Sequence, residues 1–185
     1  DTQAIQSVAK LLLIGDESAP EELSMLADAS IEKGKHLELY KESFVQAIKN
    51  LEKDVVSKWK GESDQIIPLD VEGANILYVA LAGAHSIVPT ASILNAAREN
   101  WTLSFFEAVN FGAFVGDPRK TQLIAKRIID EAIRLKVKEV TICECGTAYR
   151  VMKHLVGEQP FQVSHIAEVM ARYLKEGTGE GLGVK

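Results

Sequence analysis

The two cysteines of the chain are the residues best suited to chemistry. Cys143 and Cys145 stand in residues 141–150, where a β-branched run leads into a glycine-containing turn. This order is typical of the carboxyl edge of a parallel sheet, where open α/β folds bind their ligands. Strand alternation would place both thiols on the same side of the sheet. Cys145 starts a helix, a position that favours a reactive thiolate, although a small buried hydrophobic role is the alternative for each cysteine.

Two histidines stand at comparable points of the chain. His85 follows the first predicted strand and His165 follows the fourth, so both are expected at the same edge as the cysteines. Two thiols and two imidazoles make a chemically sensible zinc set. The alternative for each histidine is a helix-capping or loop-bracing role.

A further candidate binding point is the predicted start of a helix. Asp117 before Pro118 is typical of an N-cap followed by proline at the first helical position. Gly116, just before them, would let a phosphate approach such a helix N-terminus. The alternative is that Gly116 and Gly112 serve turns. The chain has no Gly-x-Gly-x-x-Gly or Walker pattern that would indicate a nucleotide site.

Strand and helix patterns that alternate along the chain predict the fold that positions these residues. The predicted strands are residues 76–81, 103–109, 137–142 and 161–164, and residues 110–116 are expected to be a loop. Alternation of this kind predicts an α/β fold, with a mostly parallel sheet of about four strands and helices on both faces. A helical N-terminal segment precedes the sheet.

Three regions follow from these patterns. Residues 1–62 are expected to be a helical segment, acting as a linker or a packing appendage, with a long helix over 37–59. Residues 74–176 are expected to form the α/β domain. Residues 177–185 contain four glycines and are expected to be a flexible tail. Because the chain opens on Asp1 inside a helical pattern, we expect it to be part of a longer protein.

Composition excludes several classes of function. A formal net charge of −5 provides no basic surface for nucleic acid. No apolar run approaches the roughly 20 residues that a membrane-spanning helix needs. Two cysteines separated by one residue do not form an ordinary structural disulfide and indicate a reducing compartment. A cytoplasmic location is therefore expected.

Four short motifs, in this order, resemble the cysteine-rich CCG domain of heterodisulfide reductase-like iron–sulfur oxidoreductases. They are residues 83–85 (Gly-Ala-His), 114–118 (Phe-Val-Gly-Asp-Pro), 145–150 (Cys-Gly-Thr-Ala-Tyr-Arg) and 163–168 (Val-Ser-His-Ile-Ala-Glu). The resemblance covers roughly residues 76–177. It implies electron transfer or thiol–disulfide chemistry, with partners among the other subunits of a redox complex and a ferredoxin-like segment outside this chain.

The resemblance also implies roles for individual residues. Cys145 would be the redox-active residue or a residual metal ligand, beside Cys143. His85, Thr147 and His165 would line the crevice, and Asp117 would cap the helix below it.

The chain departs from the family pattern at most cysteine positions. Alanine stands near the first (Ala82 or Ala84), residues 114–115 replace the paired cysteines, and Ala148 replaces the last, so only Cys145 matches a ligand position. Family members hold a 4Fe-4S cluster or zinc through the full set. The parent protein is expected to carry 4Fe-4S that this chain alone does not hold. The alternatives are a non-catalytic docking or small-ligand module of the same complex and a zinc-binding structural domain.

Overall fold

Four parallel strands form one sheet, which confirms the predicted α/β fold. The computed structural model describes residues 2–15, 20–33, 46, 49–50, 53, 67–80, 86–105, 110–143, 145–155 and 157–177. The strands are β1 (Ile76–Ala80), β2 (Trp101–Phe105), β3 (Glu139–Ile142) and β4 (Gln162–His165). They lie side by side in the order β2-β1-β3-β4.

Seven α-helices are described around this sheet. They are α1 (Thr2–Gly15), α2 (Glu21–Lys33), α3 (Ile87–Ala96), α4 (Asn110–Val115), α5 (Pro118–Arg134), α6 (Gly146–Arg150) and α7 (Ile166–Glu176). A π-helical turn, Val151–Leu155, continues α6. Within the described residues, no helix is long and apolar enough to cross a membrane.

Strand alternation divides the core into two layers. Leu77 and Val79 of β1 pack with α5 and the α6 region on one face, and Ile76 and Tyr78 pack with α3 and α7 on the other. Because both faces of the sheet are covered, all five residues of β1 are buried. This explains why β1 is a continuous apolar run rather than an alternating one.

The strand order places a topological switch point between β1 and β3. From β1 the chain moves outward to β2 and then returns across β1 to β3, so the connections after these two neighbours diverge. Doubly wound sheets bind ligands at the carboxyl ends of such strands. Cys143 directly follows β3 at this point. His85 follows β1 in sequence but lies outside the described residues.

The second strand begins two residues earlier than the sequence predicts. Residues 67–71 run along its outer edge, where Leu103 N donates to Pro68 O at 2.8 Å and Asp70 N donates to Leu103 O at 3.1 Å. Ser104 Oγ also donates to Asp70 Oδ1 at 2.6 Å. Ser104 is a polar residue inside a strand, and its hydroxyl is satisfied by the segment 67–71. That segment covers the sheet edge and so protects it.

Residues 110–115 form the short helix α4, although the sequence predicts a loop there. Gly112 is buried, and a Cβ at this position would lie 2.4 Å from Thr121 N in α5. Gly112 therefore permits a close crossing of two helices. A glycine in this role looks the same in sequence as a glycine in a turn.

Within residues 1–62 the structure describes two complete elements, α1 and α2, and both are helices, as predicted. The predicted helix over 37–59 lies outside the described residues, except for residues 46, 49, 50 and 53. The tail beyond residue 177 also lies outside them. The domain boundaries 1–62, 74–176 and 177–185 therefore stay predictions.

Candidate functional site

Cys145 is the N-cap residue of α6. Its backbone is extended, and its Sγ accepts a hydrogen bond from Ala148 N at 3.4 Å. The residue is half-buried against the core layer that contains α5. Cys145 Sγ therefore caps the first turn of α6.

Cys143 lies on the other side of the sheet. Its Sγ accepts a hydrogen bond from Thr90 Oγ1 at 3.4 Å, and it packs against the layer formed by α3 and α7. The prediction that both thiols share one side is therefore wrong. It depended on strand alternation continuing, but β3 ends at Ile142 and the chain turns into α6.

His165 is the N-cap residue of α7. Its Nδ1 accepts from Ala167 N at 3.2 Å, while Glu168 Oε2 accepts from His165 N at 2.8 Å, so the two residues form a capping box. His165 pairs in register with Ile142, the last residue of β3. The neutral imidazole therefore carries its proton on Nε2, because Nδ1 is the acceptor.

Tyr149 connects the cysteine turn to the start of α7. Its backbone N donates to Cys145 O at 3.0 Å, and its hydroxyl donates to Glu168 Oε2 at 3.0 Å. Its ring meets the His165 ring edge-on, with 5.8 Å between the centroids. Lys153 Nζ lies 6.0 Å from the Tyr149 ring centroid and donates to Val163 O at 2.7 Å.

Two pKa values in this cluster are displaced. Burial, helped by the hydrogen bond to Glu168, raises the pKa of Tyr149. The hydrogen bond from the His165 backbone lowers the pKa of Glu168. Neither residue was a candidate from the sequence, although the three-residue spacing from His165 to Glu168 is the signal of a capping box.

Gly116 and Asp117 have structural contacts instead of an open binding surface. Asp117 Oδ1 accepts from Arg119 N at 2.9 Å and from Lys120 N at 3.1 Å, as expected of the N-cap. Gly116 has a φ of 80°, and a Cβ there would lie 2.5 Å from Lys10 Cβ in α1. Because α1 occupies the space beside Gly116, the proposed approach of a phosphate gains no support.

The structure brings some of the predicted site residues together and separates others. Cys145 and the half-buried Thr147 lie at the start of α6, which reaches His165 through Tyr149. Cys143 lies beside the same strand end but packs on the opposite face.

The described residues do not fit a 4Fe-4S cluster. Such a cluster ordinarily takes four thiolates, whereas the chain has two cysteines and they belong to opposite core layers. The described residues contain no group of three or more His, Cys, Asp or Glu side chains that could hold a metal ion. His165 Nδ1 accepts the cap hydrogen bond, which leaves Nε2 as its one nitrogen for a ligand, and no group of three or more ligand side chains in the described residues includes it.

No protein-family profile, curated protein or solved structure matches this chain. The resemblance to CCG domains thus rests on the four motifs alone.

A separate polar cleft of about 310 Å³ lies at the amino edge of the sheet, away from the cysteines. In it, Arg172 of α7 donates two hydrogen bonds to the buried carboxylate of Glu139, from Nη1 to Oε1 at 3.3 Å and from Nη2 to Oε2 at 2.9 Å. Tyr173 OH donates to Glu99 Oε2 at 2.7 Å, and burial raises the pKa of Tyr173. These contacts anchor α7 to the sheet.

Proposed function

We propose that this chain is a CCG-type domain of a larger iron–sulfur oxidoreductase related to heterodisulfide reductase. It takes part in electron transfer or thiol–disulfide chemistry through Cys145, and its own cluster site is degenerate. The parent protein carries 4Fe-4S outside this chain, and the partners are other subunits and a ferredoxin-like segment. The compartment we propose is the cytoplasm, because two cysteines separated by one residue do not form an ordinary structural disulfide.

The observation that carries the proposal is the position of Cys145 at the carboxyl edge of a parallel sheet. It caps α6, and α6 connects through Tyr149 to the capping box of α7. The Cys145 thiol is therefore positioned by the start of α6 directly and by the start of α7 through Tyr149, which supports a role for this thiol. This position also agrees with the order of the motifs that resemble a CCG domain.

Thiol–disulfide exchange at Cys145 would proceed through a mixed disulfide. The Cys145 thiolate attacks one sulfur of a disulfide substrate, a new S–S bond forms, and the other sulfur leaves as a thiolate. A second thiol then attacks the mixed disulfide, which releases reduced substrate or regenerates Cys145. Because Cys143 lies on the opposite face of the sheet, that second thiol belongs to a partner molecule.

Single-turnover exchange with an aromatic disulfide tests this proposal on the full chain. We expect Cys145→Ser to lower the rate of thiolate release at least about tenfold, because the attacking sulfur is gone. Cys143→Ser is the matched control and keeps most of the rate. If Cys143→Ser removes the reaction and Cys145→Ser does not, the proposal is wrong.

The second candidate is a non-catalytic docking or small-ligand module of the same complex. The shortage of ligand side chains among the described residues favours it over a cluster-binding domain. Metal analysis of the purified chain distinguishes the possibilities. Iron with sulfide supports a redox domain that binds its own cluster, and metal-free protein without exchange activity supports the module. One equivalent of zinc that disappears in Cys145→Ser would indicate the zinc-binding structural domain.

A further inference from the structure

The floor of the polar cleft is the first row of side chains in the sheet. Trp101, Ile76, Glu139 and Gln162 stand in register across the four strands, so their side chains point to the same face. Trp101 and Ile76 are buried in the core layer that contains α3 and α7. Glu139 is also buried, with 8% of its surface exposed. It is therefore a carboxylate at a level of the sheet that β1 and β2 fill with apolar side chains.

Stability alone does not explain this carboxylate. A buried ion pair is often no more stable than apolar side chains of similar size, because both charged groups must lose their water. What Glu139 does is fix the direction of a guanidinium. The side chain of Glu139 is 11% exposed, whereas that of its partner Arg172 is 36% exposed and lines the cleft. A guanidinium has more N–H groups than Glu139 and the adjacent Tyr173 hydroxyl can occupy, so Arg172 has donors left for a ligand.

Two further donors of the cleft are unused. Lys138 and Gln162 line it beside Arg172. Within the part of the chain that the structure describes, neither the Lys138 ammonium nor the Gln162 amide bonds another group. A guanidinium, an ammonium and an amide therefore converge on one space, and all three can donate to a ligand that accepts hydrogen bonds.

The carboxylates of the cleft, in contrast, are already bonded. Glu99 accepts from Tyr173 OH at 2.7 Å and from Asn100 N at 3.1 Å, and Glu139 accepts both bonds from the guanidinium. The charges of these two carboxylates offset those of the two cations. A ligand with a single negative charge therefore fits the cleft better than a dianion does.

We infer that this cleft binds the carboxylate group of a small organic anion. Arg172 and Lys138 supply positive charge and donate to the carboxylate oxygens, and Gln162 donates from its amide. A volume of about 310 Å³ lies at the lower end of the range for ligand sites, which suits a small metabolite. Because the cleft lies at the edge of the sheet opposite to Cys145, this binding is separate from the proposed thiol chemistry.

Titration of the full chain with acetate, followed by NMR of the Gln162 side-chain amide, tests the inference. At constant ionic strength we expect saturable shifts with a Kd of about 1–10 mM, because only a few charge-assisted hydrogen bonds hold so small an ion. Inorganic phosphate, which is mostly doubly charged at about pH 8, should bind at least about threefold more weakly than acetate.

Variants show whether acetate binds in the cleft. Lys138→Met removes one cation and should weaken binding at least about fivefold. Lys175→Met is the matched control, because Lys175 is an exposed lysine in the last turn of α7 that does not line the cleft, and it should bind as the natural chain does. Cys145→Ser should also bind normally, so this result does not depend on the exchange reaction. A titration without saturable shifts, equal binding by Lys138→Met, or tighter binding of phosphate than of acetate would overturn the inference.

Discussion

The close crossing of α4 and α5 makes Gly112→Ala the most informative stability test of the fold. A Cβ at residue 112 would lie 2.4 Å from Thr121 N and 2.7 Å from Thr121 Cα, and ordinary contact requires at least 3.4 Å. These are backbone atoms of a helix start, so relief requires the two helices to separate. Overpacking of this kind costs up to about 3 kcal/mol, and the better helix propensity of alanine returns about 1 kcal/mol. We therefore expect a net loss of about 2 kcal/mol.

Thermal and urea unfolding followed by circular dichroism measure this loss. For a chain of this length, about 2 kcal/mol corresponds to a fall in Tm of about 4–8 °C. Gly146→Ala is the matched control, because a Cβ at Gly146 meets nothing within 4 Å. It should leave stability unchanged or raise it by about 0.4–1 kcal/mol. If Gly112→Ala unfolds at or above the wild-type Tm while Gly146→Ala behaves as expected, the described crossing is wrong.

Three further predictions concern the contacts at the two edges of the sheet. Cys145→Ala should lower stability by about 0.5–1 kcal/mol because it removes an N-cap, whereas Cys145→Ser should keep the cap, and urea unfolding compares the two variants. Folding lowers the pKa of Glu168 below 4.5, its value in the unfolded chain. The ionised carboxylate therefore stabilises the fold fully above pH 4.5, and this stabilisation is lost as the pH falls through the pKa of the folded state. Glu168→Ala should therefore cost about 0.5–1 kcal/mol at neutral pH and little in acid, as measured by urea unfolding at several pH values; an equal cost at all pH values would contradict the role of charge. Arg172→Met leaves the buried carboxylate of Glu139 without its partner and should cost about 2–3 kcal/mol by the same method, whereas a loss below about 0.5 kcal/mol would show that the pair does not anchor α7.

Local signals along the chain predict most of the fold. The Asp-Pro pair at residues 117–118 marks the start of α5 correctly, because a cap and its first turn are adjacent in sequence. The apolar run of β1 predicts a buried parallel strand, since burial on both faces leaves no polar alternation. His165 also proves to be a capping residue, which was the alternative for it.

Contacts between distant residues explain what the sequence does not predict. The role of Gly112 depends on Thr121 in another helix, and the start of β2 depends on residues 67–71 that cover its edge. The ion pair of Glu139 and Arg172 joins residues 33 positions apart, so no periodicity reveals it. The relative placement of the two cysteines depends on the residue at which β3 ends, and strand patterns do not define such boundaries well.

The most direct test of the central claim is competitive alkylation of the two cysteines in the folded chain. With limiting iodoacetamide at neutral pH, peptide mass spectrometry measures how fast each thiol is modified. Because Cys145 caps a helix and Cys143 bonds a buried hydroxyl, we predict that Cys145 reacts at least about fivefold faster. If Cys143 reacts as fast or faster, or if both react only on unfolding, Cys145 is not the functional thiol.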